Sequence, residues 1–370
     1  MGIKIYYLIL AAVVFFGMIL PQRGKQKNIY VNLMAVLHAF VCGFRYEFLT
    51  GDLIKYYNIG HMMLTKGWFS SEVFDAGRNF GFSWALKLFL QLTGGNFQVF
   101  LLFIAILVEV GVARVILKYS SKPWLSYLTW NCFGFYIFGF SAIKQALAMG
   151  ILMWAYSAIL EEKKGKFVFY AILAGCVHTP ALIFLPAYWI AKGRIHFRKL
   201  AFYAAVFALV WVFRNPIVDF MSDLYYEDEM AFAVNDVLGG RFALIILILA
   251  VGILIKGFAD EQFEKTFNLI VVGAGLQMFS GFNNVFTRLA DYYLQFLIVY
   301  IPLLFASNEG IALRDGRNAV IGISYKDMRV YVVIVAAALV WYYWRTNLSV
   351  EIAYAVDDYL NFRFMWDVIS

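Results

Sequence analysis

Charged residues are scarce in this sequence, and no part of it has enough of them to form a soluble domain. Asp, Glu, Lys and Arg make up 15% of the 370 residues and hydrophobic residues 63%, where a soluble domain has about 45–50%. No polar block is long enough to bury a core of its own. Apolar runs of about 17–25 residues recur instead, and each can cross about 30 Å of hydrocarbon. The composition therefore indicates an all-α, polytopic integral membrane protein with a single domain over residues 1–370.

Cysteine is also rare. The sequence has three cysteines, Cys42, Cys132 and Cys176, and all lie in or at the edge of apolar segments. Their number is odd and no metal-ligand spacing is present, so we expect inert packing residues and no bound metal ion. The sequence also lacks a nucleic-acid-binding motif, an internal repeat and a low-complexity stretch.

The basic residues are concentrated in particular loops, and this accounts for the net charge of +7. Basic loops alternate with acidic or aromatic ones along the chain, and cytoplasmic loops of membrane proteins collect Lys and Arg. We therefore place the basic loops in the cytoplasm: residues 23–28, 118–122, 161–166, 192–199, 256–265 and 314–329. The main outward loops are then residues 45–79 and residues 215–240, and the second contains the acidic "DLYYEDEM".

Two segments do not fit a simple series of spans. The apolar run at residues 80–92 is too short for a comfortable crossing, so we expect it to lie at the interface or to re-enter. Residues 167–190 have basic loops at both ends, which a single span would place on opposite sides. We predict two half-helices that meet at His178, with Thr179 as a cap and Pro180 in the first turn of the second. The total is about ten to twelve membrane-spanning or re-entrant helices.

The predicted outward loop at residues 45–79 contains the first group of candidate site residues. The stretch "FRYEFLTGDLIKYYN" leaves an apolar run with Arg45 and continues through Asp52, Tyr56 and Tyr57. Asp52 and Tyr56 share one face if this stretch is helical, because they are four residues apart. The tyrosines are candidates for stacking on a sugar. The structural alternatives are membrane-interface tyrosines and an arginine that reaches lipid headgroups.

The turn near Ser141 contains the second group. In "SAIKQALAMG" we expect Ser141 to cap a helix that starts at Ala142, which leaves Lys144 and Gln145 in the first turn. Backbone N–H groups, the positive helix end and a lysine together form an anion-binding site. A basic residue this early in a helix opposes the helix dipole, which favours a functional reading of Lys144.

His178 is the third candidate. A lone histidine in an apolar segment is usually a packing residue, but His178 lies beside Pro180 in a segment that we expect to bend. Irregular backbone at membrane depth is tolerated only where protein or a water-filled cavity surrounds it. If the bend is real, we expect His178 to line a cavity.

The fourth group is in "NNVFTRLADYYLQ", where Arg288, Tyr292 and Gln295 follow helical spacing on one face. Arg288 can alternatively pair with Asp291, three residues further on. Three cations and a histidine on the outer side suit a ligand with clustered negative charge. Diphosphate is the clearest example, since arginine binds its oxygens bidentately.

The order of these motifs resembles the EpsG family of exopolysaccharide polymerases, membrane glycosyltransferases akin to the O-antigen polymerases. The resemblance covers roughly residues 45–302. It is carried by "FRYEFLTGDLIKYYN", "GFSWALKLF", "SAIKQALAMGILMWA", "AGCVHTPALIFLPAYWI" and "RLADYYLQFLIVYIP". Two positions depart from the family pattern. Lys144 stands where an arginine usually precedes the glutamine, and Asn79 stands near the place of a frequent acidic residue before the "GF" motif.

The resemblance implies a GT-C-like fold and an active site on the outer side of the bacterial cytoplasmic membrane, with no metal ion or cofactor. The donor would be an undecaprenyl-diphosphate-linked oligosaccharide in the membrane lipid. A flippase and a chain-length regulator are candidate protein partners, and nucleic acid is not.

The resemblance also implies roles for the candidate residues. The donor diphosphate would be held by Arg45, Lys144 and Arg288. His178 or Asp52 would act as the base or orient the acceptor hydroxyl. The remaining substrate-binding candidates are Gln145, Tyr56, Tyr57 and Tyr292.

Other functions remain open from the sequence. A flippase for lipid-linked oligosaccharides would also need cations in a cavity, but it should show repeated halves and charges deeper in the bilayer. A glycan ligase would share the enzyme class. A membrane acyltransferase is disfavoured, because the basic cytoplasmic loops offer only His196 for catalysis.

Overall fold

The computed structural model describes most of the chain. The described residues are 4–74, 78–217, 239–256, 261–282, 284–306, 311–315, 318–323, 325–348 and 362–367. Most of the predicted outward loop at residues 215–240, including its acidic "DLYYEDEM", lies outside these residues. Parts of the predicted basic loops at residues 256–265 and 314–329 also lie outside them.

The described chain is helical almost throughout, which agrees with the predicted all-α class. The α-helices are α1 (Lys4–Ile19), α2 (Gly24–Gly43), α3 (Gly51–Leu64), α4 (Ser71–Phe74), α5 (Phe80–Leu92), α6 (Phe97–Tyr119), α7 (Pro123–Cys132), α8 (Ile143–Leu160), α9 (Lys164–Val177), α10 (Ala187–Ala191), α11 (Phe197–Val212), α12 (Gly240–Lys256), α13 (Glu261–Gln277), α14 (Asn284–Leu294), α15 (Leu297–Leu304) and α16 (Tyr325–Tyr343). Short 3₁₀ helices cover Tyr136–Phe140, Thr179–Phe184 and Met278–Gly281, and Trp344–Leu348 forms a π-helical turn.

One small β-hairpin departs from the all-α class. Strands β1 (Ile311–Asp315) and β2 (Asn318–Ile323) pair antiparallel. The pairing matches Ile311 with Ile323, and a bulge falls between Leu313 and Arg314. The hairpin lies partly within the loop at residues 314–329 that we predicted to be cytoplasmic.

Within the described residues, two helices are long and apolar enough to cross a membrane. They are α6, with a mean hydropathy of 2.6, and α8, with a mean hydropathy of 1.4. Shorter apolar helical segments occur at Ile5–Ile19, Phe80–Leu92, Thr179–Ala191 and Gly240–Leu254. The predicted number of spans stays a prediction.

The chain divides into two compact units. The first comprises Met1–Leu185, Leu297–Ala306 and Lys326–Ser370, and the second comprises Pro186–Phe296 and Ser307–Tyr325. The first unit contains α1–α9, α15 and most of α16. The second contains α10–α14 and the β-hairpin.

Helices α2 and α6 run antiparallel in the first unit. At one end, Lys27 Nζ donates a hydrogen bond to the Ser120 carbonyl just after α6 (2.9 Å). At the other end, Gln98 Nε2 donates to the Gly43 carbonyl at the end of α2 (2.5 Å). The lysine thus lies at the C-terminus of α6, where a positive charge is favourable.

Helices α6 and α8 are parallel and pack closely through two glycines. A Cβ on Gly111 would lie 2.6 Å from the Gly150 carbonyl oxygen, so only small residues allow this approach. The C-terminal ends of both helices meet where Glu161 pairs with Lys118, and Lys163 also pairs with Glu161 (2.6 Å). These two ammonium groups lower the pKa of Glu161 to about 2. The predicted cytoplasmic loops at 118–122 and 161–166 are therefore neighbours.

The segment at residues 164–185 confirms the predicted bent pair. Helix α9 ends at Val177, the backbone breaks at His178, and the chain returns in the 3₁₀ helix Thr179–Phe184. The return is antiparallel, because the Phe184 ring lies 6.1 Å from the Phe167 ring near the start of α9. Pro180 lies in the first turn of the returning arm, as predicted.

In the second unit, two side chains bind the backbone of the loop after α10. The Ile195 backbone N–H donates to Glu264 Oε1 (2.9 Å), and Asn268 Nδ2 donates to the carbonyls of Ala191 and Gly193 (both 3.1 Å). Glu264 and Asn268 both belong to α13, so this one helix fixes the backbone at the start of the basic loop at residues 192–199.

Candidate functional site

Lys144 lies in the first turn of α8 against two aromatic rings. Its Nζ is 5.2 Å from the ring centroids of both Tyr56 and Phe82. Those distances fit cation–π interactions, which favour a charged ammonium at a partly dry site. Lys144 is half-buried and the neighbouring Gln145 is buried.

The predicted cap of α8 was wrong. The helix starts at Ile143 with Ala142 at the N-cap position, and no side chain caps it. Ser141 instead uses its backbone carbonyl, which accepts the Ile143 N–H (2.9 Å). A backbone hydrogen bond therefore joins the turn after the preceding 3₁₀ helix to the start of α8.

Helix α3 places Tyr56 at the site. The stretch is helical, which is the condition for Asp52 and Tyr56 to share a face, and the Thr50 hydroxyl caps the helix by accepting the Leu53 N–H (3.3 Å). Asp52 lies exposed in the first turn, four residues before Tyr56. An acid in that turn is favoured by the helix dipole, so Asp52 also has a structural reason to be there.

Tyr57 points away from Lys144 into a separate aromatic group. Its ring lies 4.9 Å from Phe48, 4.1 Å from His61 and 5.8 Å from Phe97. Consecutive residues of a helix do not face each other. The two neighbouring tyrosines therefore lie in different environments, and of the two it is Tyr56 that contacts Lys144.

The break at His178 is tied to the start of α5 by a reciprocal pair of hydrogen bonds. The Thr179 N–H donates to Asn79 Oδ1 (2.9 Å), and the Asn79 N–H donates to Thr179 Oγ1 (3.3 Å). Thr179 was predicted to cap the returning helix, but its hydroxyl serves Asn79 and the residue at the N-cap position is His178. We call these two residues the Asn79–Thr179 clamp.

The clamp requires an unusual backbone at Asn79. Its φ is 50°, in the left-handed region, which asparagine enters more readily than most residues. Two residues on, a Cβ at Gly81 would lie 3.0 Å from the Cys176 carbonyl. The first turn of α5 thus packs directly on the last turn of α9.

His178 is half-buried at the point where the chain reverses. Its backbone N–H donates to the Ala174 carbonyl and its carbonyl accepts the Ala181 N–H (both 2.8 Å). These bonds fix the backbone of His178 between a helix end and a helix start. Its extended dihedrals, φ −145° and ψ 104°, take it out of both helices.

Helix α5 brings these groups to one place. Phe82 contacts Lys144 and lies 5.4 Å from the Tyr56 ring, while Asn79 on the same helix binds Thr179, the neighbour of His178. We call the set Tyr56, Asn79, Phe82, Lys144 and His178 the α5 cradle. In this set, Lys144 contacts two aromatic rings, and Asn79 links the start of the same helix to the backbone next to His178.

A lysine on α5 holds α3 in position for the cradle. Lys87 is 1% exposed, and its Nζ donates to the carbonyls of Met63 and Lys66 (both 2.5 Å). These carbonyls lie at the C-terminal end of α3, where a cation is favourable. Lys87 therefore has a structural role that the sequence did not indicate.

Arg45 lies in the first unit but is buried, with 1% exposure. Its Nη1 donates to the Cys42 carbonyl and lies 3.4 Å from Cys42 Sγ, and its guanidinium is 5.8 Å from the centre of the Phe140 ring. The side chain folds back into the protein. Among the described residues, no hydrogen-bond partner is found for its Nε and Nη2.

A C-terminal segment, Phe362–Asp367, covers Arg45. The Met365 N–H donates to the Phe44 carbonyl (3.0 Å) and the Tyr46 N–H donates to the Arg363 carbonyl (2.8 Å). Phe364 and Trp366 stack on each other with centroids 4.5 Å apart. The C-terminal segment thus holds the backbone on both sides of Arg45.

The comparisons with known proteins identify the family. A family model described as the EpsG family matches residues 28–355, which is most of the chain. The protein belongs to the EpsG family. Comparisons with curated proteins and with solved structures found no match. The family polymerases are membrane proteins, and membership indicates an exopolysaccharide polymerase-like role of glycosyltransferase type.

The second unit of this EpsG family protein contains the remaining predicted site residues. Arg288 is exposed on α14, and Tyr292 is buried on the same helix. Asp291, the predicted local partner of Arg288, forms an ion pair with Arg241 (2.5 Å). Gln295 lies beyond the last residue of α14, and its Nε2 donates to the Tyr292 carbonyl (3.1 Å).

Sequence reasoning missed a buried polar group in the first unit of the EpsG family protein. Glu109 accepts a hydrogen bond from Trp130 Nε1 (3.2 Å), and His38 Nε2 lies 2.9 Å from Asn131 Nδ2. Tyr136 donates its hydroxyl to the His38 carbonyl (2.8 Å). A signal was present, because a glutamate inside an apolar run such as "FIAILVEVGVARVI" is costly in a membrane and marks a special position.

Metal binding finds no support in the part of the chain that the structure describes. No group of three or more His, Cys, Asp or Glu side chains there suits a metal ion. Cys42 and Cys132 are buried and Cys176 is half-buried, and all three are free thiols.

Proposed function

We propose that this protein is a polysaccharide polymerase that joins undecaprenyl-diphosphate-linked oligosaccharide repeat units on the outer face of the bacterial cytoplasmic membrane. The observation that carries the proposal is the α5 cradle, in which Lys144 lies on two aromatic rings at the start of α8. A lysine in the first turn of a helix opposes the dipole. A bound anion would reverse that cost, because the N–H groups and the ammonium both favour negative charge.

The depth of the cradle fits a lipid-linked substrate. Helix α9 has 14 residues, which is about 21 Å of rise, so it does not cross the whole ~30 Å hydrocarbon layer. If its basic N-terminal loop is cytoplasmic, His178 lies in the outer half of the membrane. A diphosphate at the outer headgroup level is then within reach of the cradle.

In the proposed reaction, Lys144 holds the donor diphosphate and stabilises the charge that develops on it. The acceptor is a sugar hydroxyl of a second lipid-linked unit. Its oxygen bonds to the anomeric carbon of the donor as the bond from that carbon to the diphosphate oxygen breaks. The proton passes to His178, which acts as the general base. The lipid diphosphate leaves with the electron pair, so no cofactor is required.

The other predicted site residues have supporting roles in the proposal. Tyr56 offers a ring beside Lys144 for a sugar face, and Gln145 follows Lys144 on α8. Asp52 is the alternative base, and its exposure keeps it accessible to a substrate. Arg45 contributes to donor binding only after the C-terminal segment moves.

The roles of Arg288 and Tyr292 in donor binding stay predictions from the sequence. Arg288 is exposed and arginine binds phosphate oxygens in a fork. Tyr292 lies one turn further along α14, and its burial favours a supporting role. Tyr57 belongs to the aromatic group around Phe97, so it is proposed to shape the outward loop.

The test is the glycolipid profile of a deletion strain that carries variants of Lys144. Lys144→Ala should abolish polymer and leave a single outward-facing repeat unit on the lipid, at unchanged protein level. Lys144→Arg should keep much of the polymer, since it preserves charge and reach. Lys166→Ala is the matched control, because Lys166 is an exposed lysine in the predicted cytoplasmic loop. Normal polymer from Lys144→Ala would remove Lys144 as a diphosphate ligand.

The same profile separates the alternative functions. Loss of a flippase leaves the repeat unit facing the cytoplasm, and loss of a ligase leaves polymer that is not transferred to its final acceptor. Either result in the deletion strain would replace the polymerase proposal.

His178 is tested with two variants in the same strain. His178→Gln keeps a hydrogen-bonding group but cannot accept a proton near neutral pH. A catalytic His178 should fail as both Gln and Ala, with a loss of about 10²–10⁴-fold. Long polymer from His178→Gln would return His178 to a packing role and favour Asp52 as the base.

A further inference from the structure

The guanidinium of Arg45 has one edge that no described residue binds. Arg45 is 1% exposed, and its Nη1 donates to the Cys42 carbonyl in the last turn of α2. This bond serves the C-terminal end of a helix, where a cation is favourable. Nε and Nη2 have no hydrogen-bond partner within the described part of the chain. These two nitrogens lie side by side in a guanidinium and can bind a carboxylate or a phosphate bidentately, so the buried edge of Arg45 matches an anion with paired oxygens.

The C-terminal segment, Phe362–Asp367, pairs with the backbone at this arginine. Arg45 and Phe364 are opposed in an antiparallel β-bridge, and two backbone hydrogen bonds of 2.8 and 3.0 Å flank the pair. Opposed residues of such a pair place their side chains on the same face, with Cβ atoms about 4.5–5.5 Å apart. The side chain of Phe364, which is 6% exposed, therefore lies beside that of Arg45.

The C-terminal segment has an aromatic residue at every second position. Phe362, Phe364 and Trp366 follow this period in "FRFMW", which places their rings on one face of an extended chain. The ring centroids lie 4.8 Å apart for the first two residues and 4.5 Å apart for the last two. Phe362 is fully buried and its ring lies 5.9 Å from that of Phe140, the ring that also contacts the Arg45 guanidinium. The aromatic face of the segment thus covers the surroundings of Arg45.

The covered state of Arg45 has an energetic cost that an anion would remove. A buried charged donor without an acceptor is unfavourable, and both Nε and Nη2 are in this situation. Burial of the aromatic rings of the C-terminal segment offsets the cost. An anion at the same edge would supply the acceptors, but Phe364 lies beside the arginine side chain in the covered state. The covered state and the anion-bound state are therefore alternatives.

We propose that the C-terminal segment is a gate over a phosphoryl-binding edge of Arg45, and that it opens to admit the diphosphate of the lipid-linked donor. The assignment of the ligand rests on the proposed function. In the closed state, the rings of Phe362 and Phe364 keep the phosphoryl group out. In the open state, Nε and Nη2 each donate to one oxygen of that group. The bond from Nη1 to the end of α2 stays in both states, so the guanidinium keeps its orientation.

The first experiment measures access to Arg45 in the full-length protein in detergent, without an enzyme assay. Phenylglyoxal modifies accessible arginine side chains, and mass spectrometry gives the rate at Arg45 relative to the exposed Arg194. Phe364→Ala should raise this rate about tenfold or more, because the closed state loses a buried ring. Met365→Ala is the matched control and should leave the rate unchanged, since the neighbouring Met365 side chain is exposed. Equal rates in wild type and Phe364→Ala would overturn the proposal.

A reversible cross-link tests the gate within one protein. Tyr46→Cys and Arg363→Cys together place two thiols at the next opposed pair of the bridge, on the face away from Arg45. The three native cysteines are replaced by alanine, which keeps the backbone carbonyl at position 42. Oxidation should join the two thiols, slow the modification of Arg45 and stop polymer formation by isolated membranes, and a reductant should restore both. Each single cysteine variant is a control and should not respond to oxidation.

Two results of this cross-link would overturn the gate. Full polymer from the cross-linked protein would show that the segment does not need to open. Failure of the thiols to cross-link would show that the segment is not paired beside Arg45. A fast and unchanged modification of Arg45 after cross-linking would likewise remove the segment as its cover.

The ligand is tested with inorganic diphosphate as the probe. Diphosphate should protect Arg45 from phenylglyoxal in Phe364→Ala, where the gate is open. An equal concentration of phosphatidylglycerol in the micelles should protect less. The opposite order would make a lipid headgroup the ligand and overturn the assignment to the donor. No protection by either compound would remove Arg45 as a phosphoryl-binding residue.

Failure of the gate and failure of the polymerase proposal give different results. The modification rate of Arg45 does not depend on any enzymatic activity. A cross-linked protein that makes full polymer, beside a Lys144→Ala variant that makes none, would reject the gate and leave the proposed function supported. A flippase or ligase profile in the deletion strain, beside an Arg45 that only the open gate exposes, would support the gate and reject the polymerase.

Discussion

The Asn79–Thr179 clamp allows a graded prediction about the candidate site. Substitution of Asn79 by Ala removes the acceptor of the Thr179 N–H, which costs about 1 kcal/mol. It also places an alanine at φ 50°, and this left-handed conformation costs an L-residue about 1–2 kcal/mol. Part of this conformational cost is already present with asparagine, so the net loss of stability is about 2 kcal/mol. That energy changes the equilibrium of the clamped backbone about 30-fold.

Two other substitutions divide this energy into its parts. Asn79→Gly loses the side-chain acceptor but tolerates a positive φ, so we expect a loss of about 1 kcal/mol. Asn79→Asp keeps the acceptor, tolerates the backbone and adds a negative charge at the start of α5, where the dipole favours it. The expected order of stability is therefore Asp near wild type, then Gly, then Ala.

The assay is Tm in detergent beside polymer length at matched membrane levels. The control is Asn96→Ala, since Asn96 Oδ1 also accepts one backbone N–H, that of Val99 (3.2 Å), but Asn96 has φ −76°. Both alanine variants lose one side-chain acceptor of a backbone N–H, but only Asn79→Ala should shorten the polymer, because only the clamp fixes the backbone beside His178. Equal polymer lengths from Asn79→Ala and Asn79→Asp would refute the reasoning.

Three further predictions concern packing, topology and charge. Gly175→Ala should lower Tm and membrane level, because its Cβ would overlap the Leu182 side chain of the returning arm, whereas Gly165→Ala should be neutral with nothing within 4 Å. In a cysteine-free background, an impermeant maleimide should label a cysteine at Phe69 in intact cells and leave one at Arg194 unlabelled; the reverse pattern would invert the topology. Glu161→Gln should cost less than about 1 kcal/mol and less still in high salt. Because its folded pKa lies near 2, that contribution is present above the unfolded value and lost as the pH falls toward 2, so a constant Tm difference from pH 5 to pH 2 would contradict it.

The sequence predicted the features that depend on local patterns. The break at His178 followed from basic loops at both ends of one apolar segment, together with a proline in its middle. The shared face of Asp52 and Tyr56 followed from their spacing once the stretch proved helical. The position of Lys144 in the first turn of α8 was also right, although its cap was not. In each case, the deciding information lies within about one helix length of the residue.

The features that the sequence did not predict depend on partners far along the chain. Asn79 and Thr179 are 100 residues apart, and neither is unusual in its own segment. Thr179 was assigned to the nearest helix start because a threonine before a proline commonly caps one. In the folded protein its hydroxyl instead accepts a hydrogen bond from the Asn79 N–H at the start of α5. Local propensity thus suggests which hydrogen bonds a side chain can form, and tertiary packing decides which of them it does form.

Charged side chains in apolar surroundings show how sequence and structure complement each other. An isolated acid in an apolar run, such as Glu109, is costly in any fold, so the sequence marks it as a special position. Its hydrogen-bond donor depends on how α6 and α7 pack, because Trp130 Nε1 on α7 donates to Glu109 Oε1 (3.2 Å). The same reasoning applies to Lys144, whose cost at a helix start is visible in the sequence, while its aromatic neighbours on α3 and α5 are not. Costly positions can therefore be found by reading a membrane sequence, and the structure is needed to say what lowers their cost.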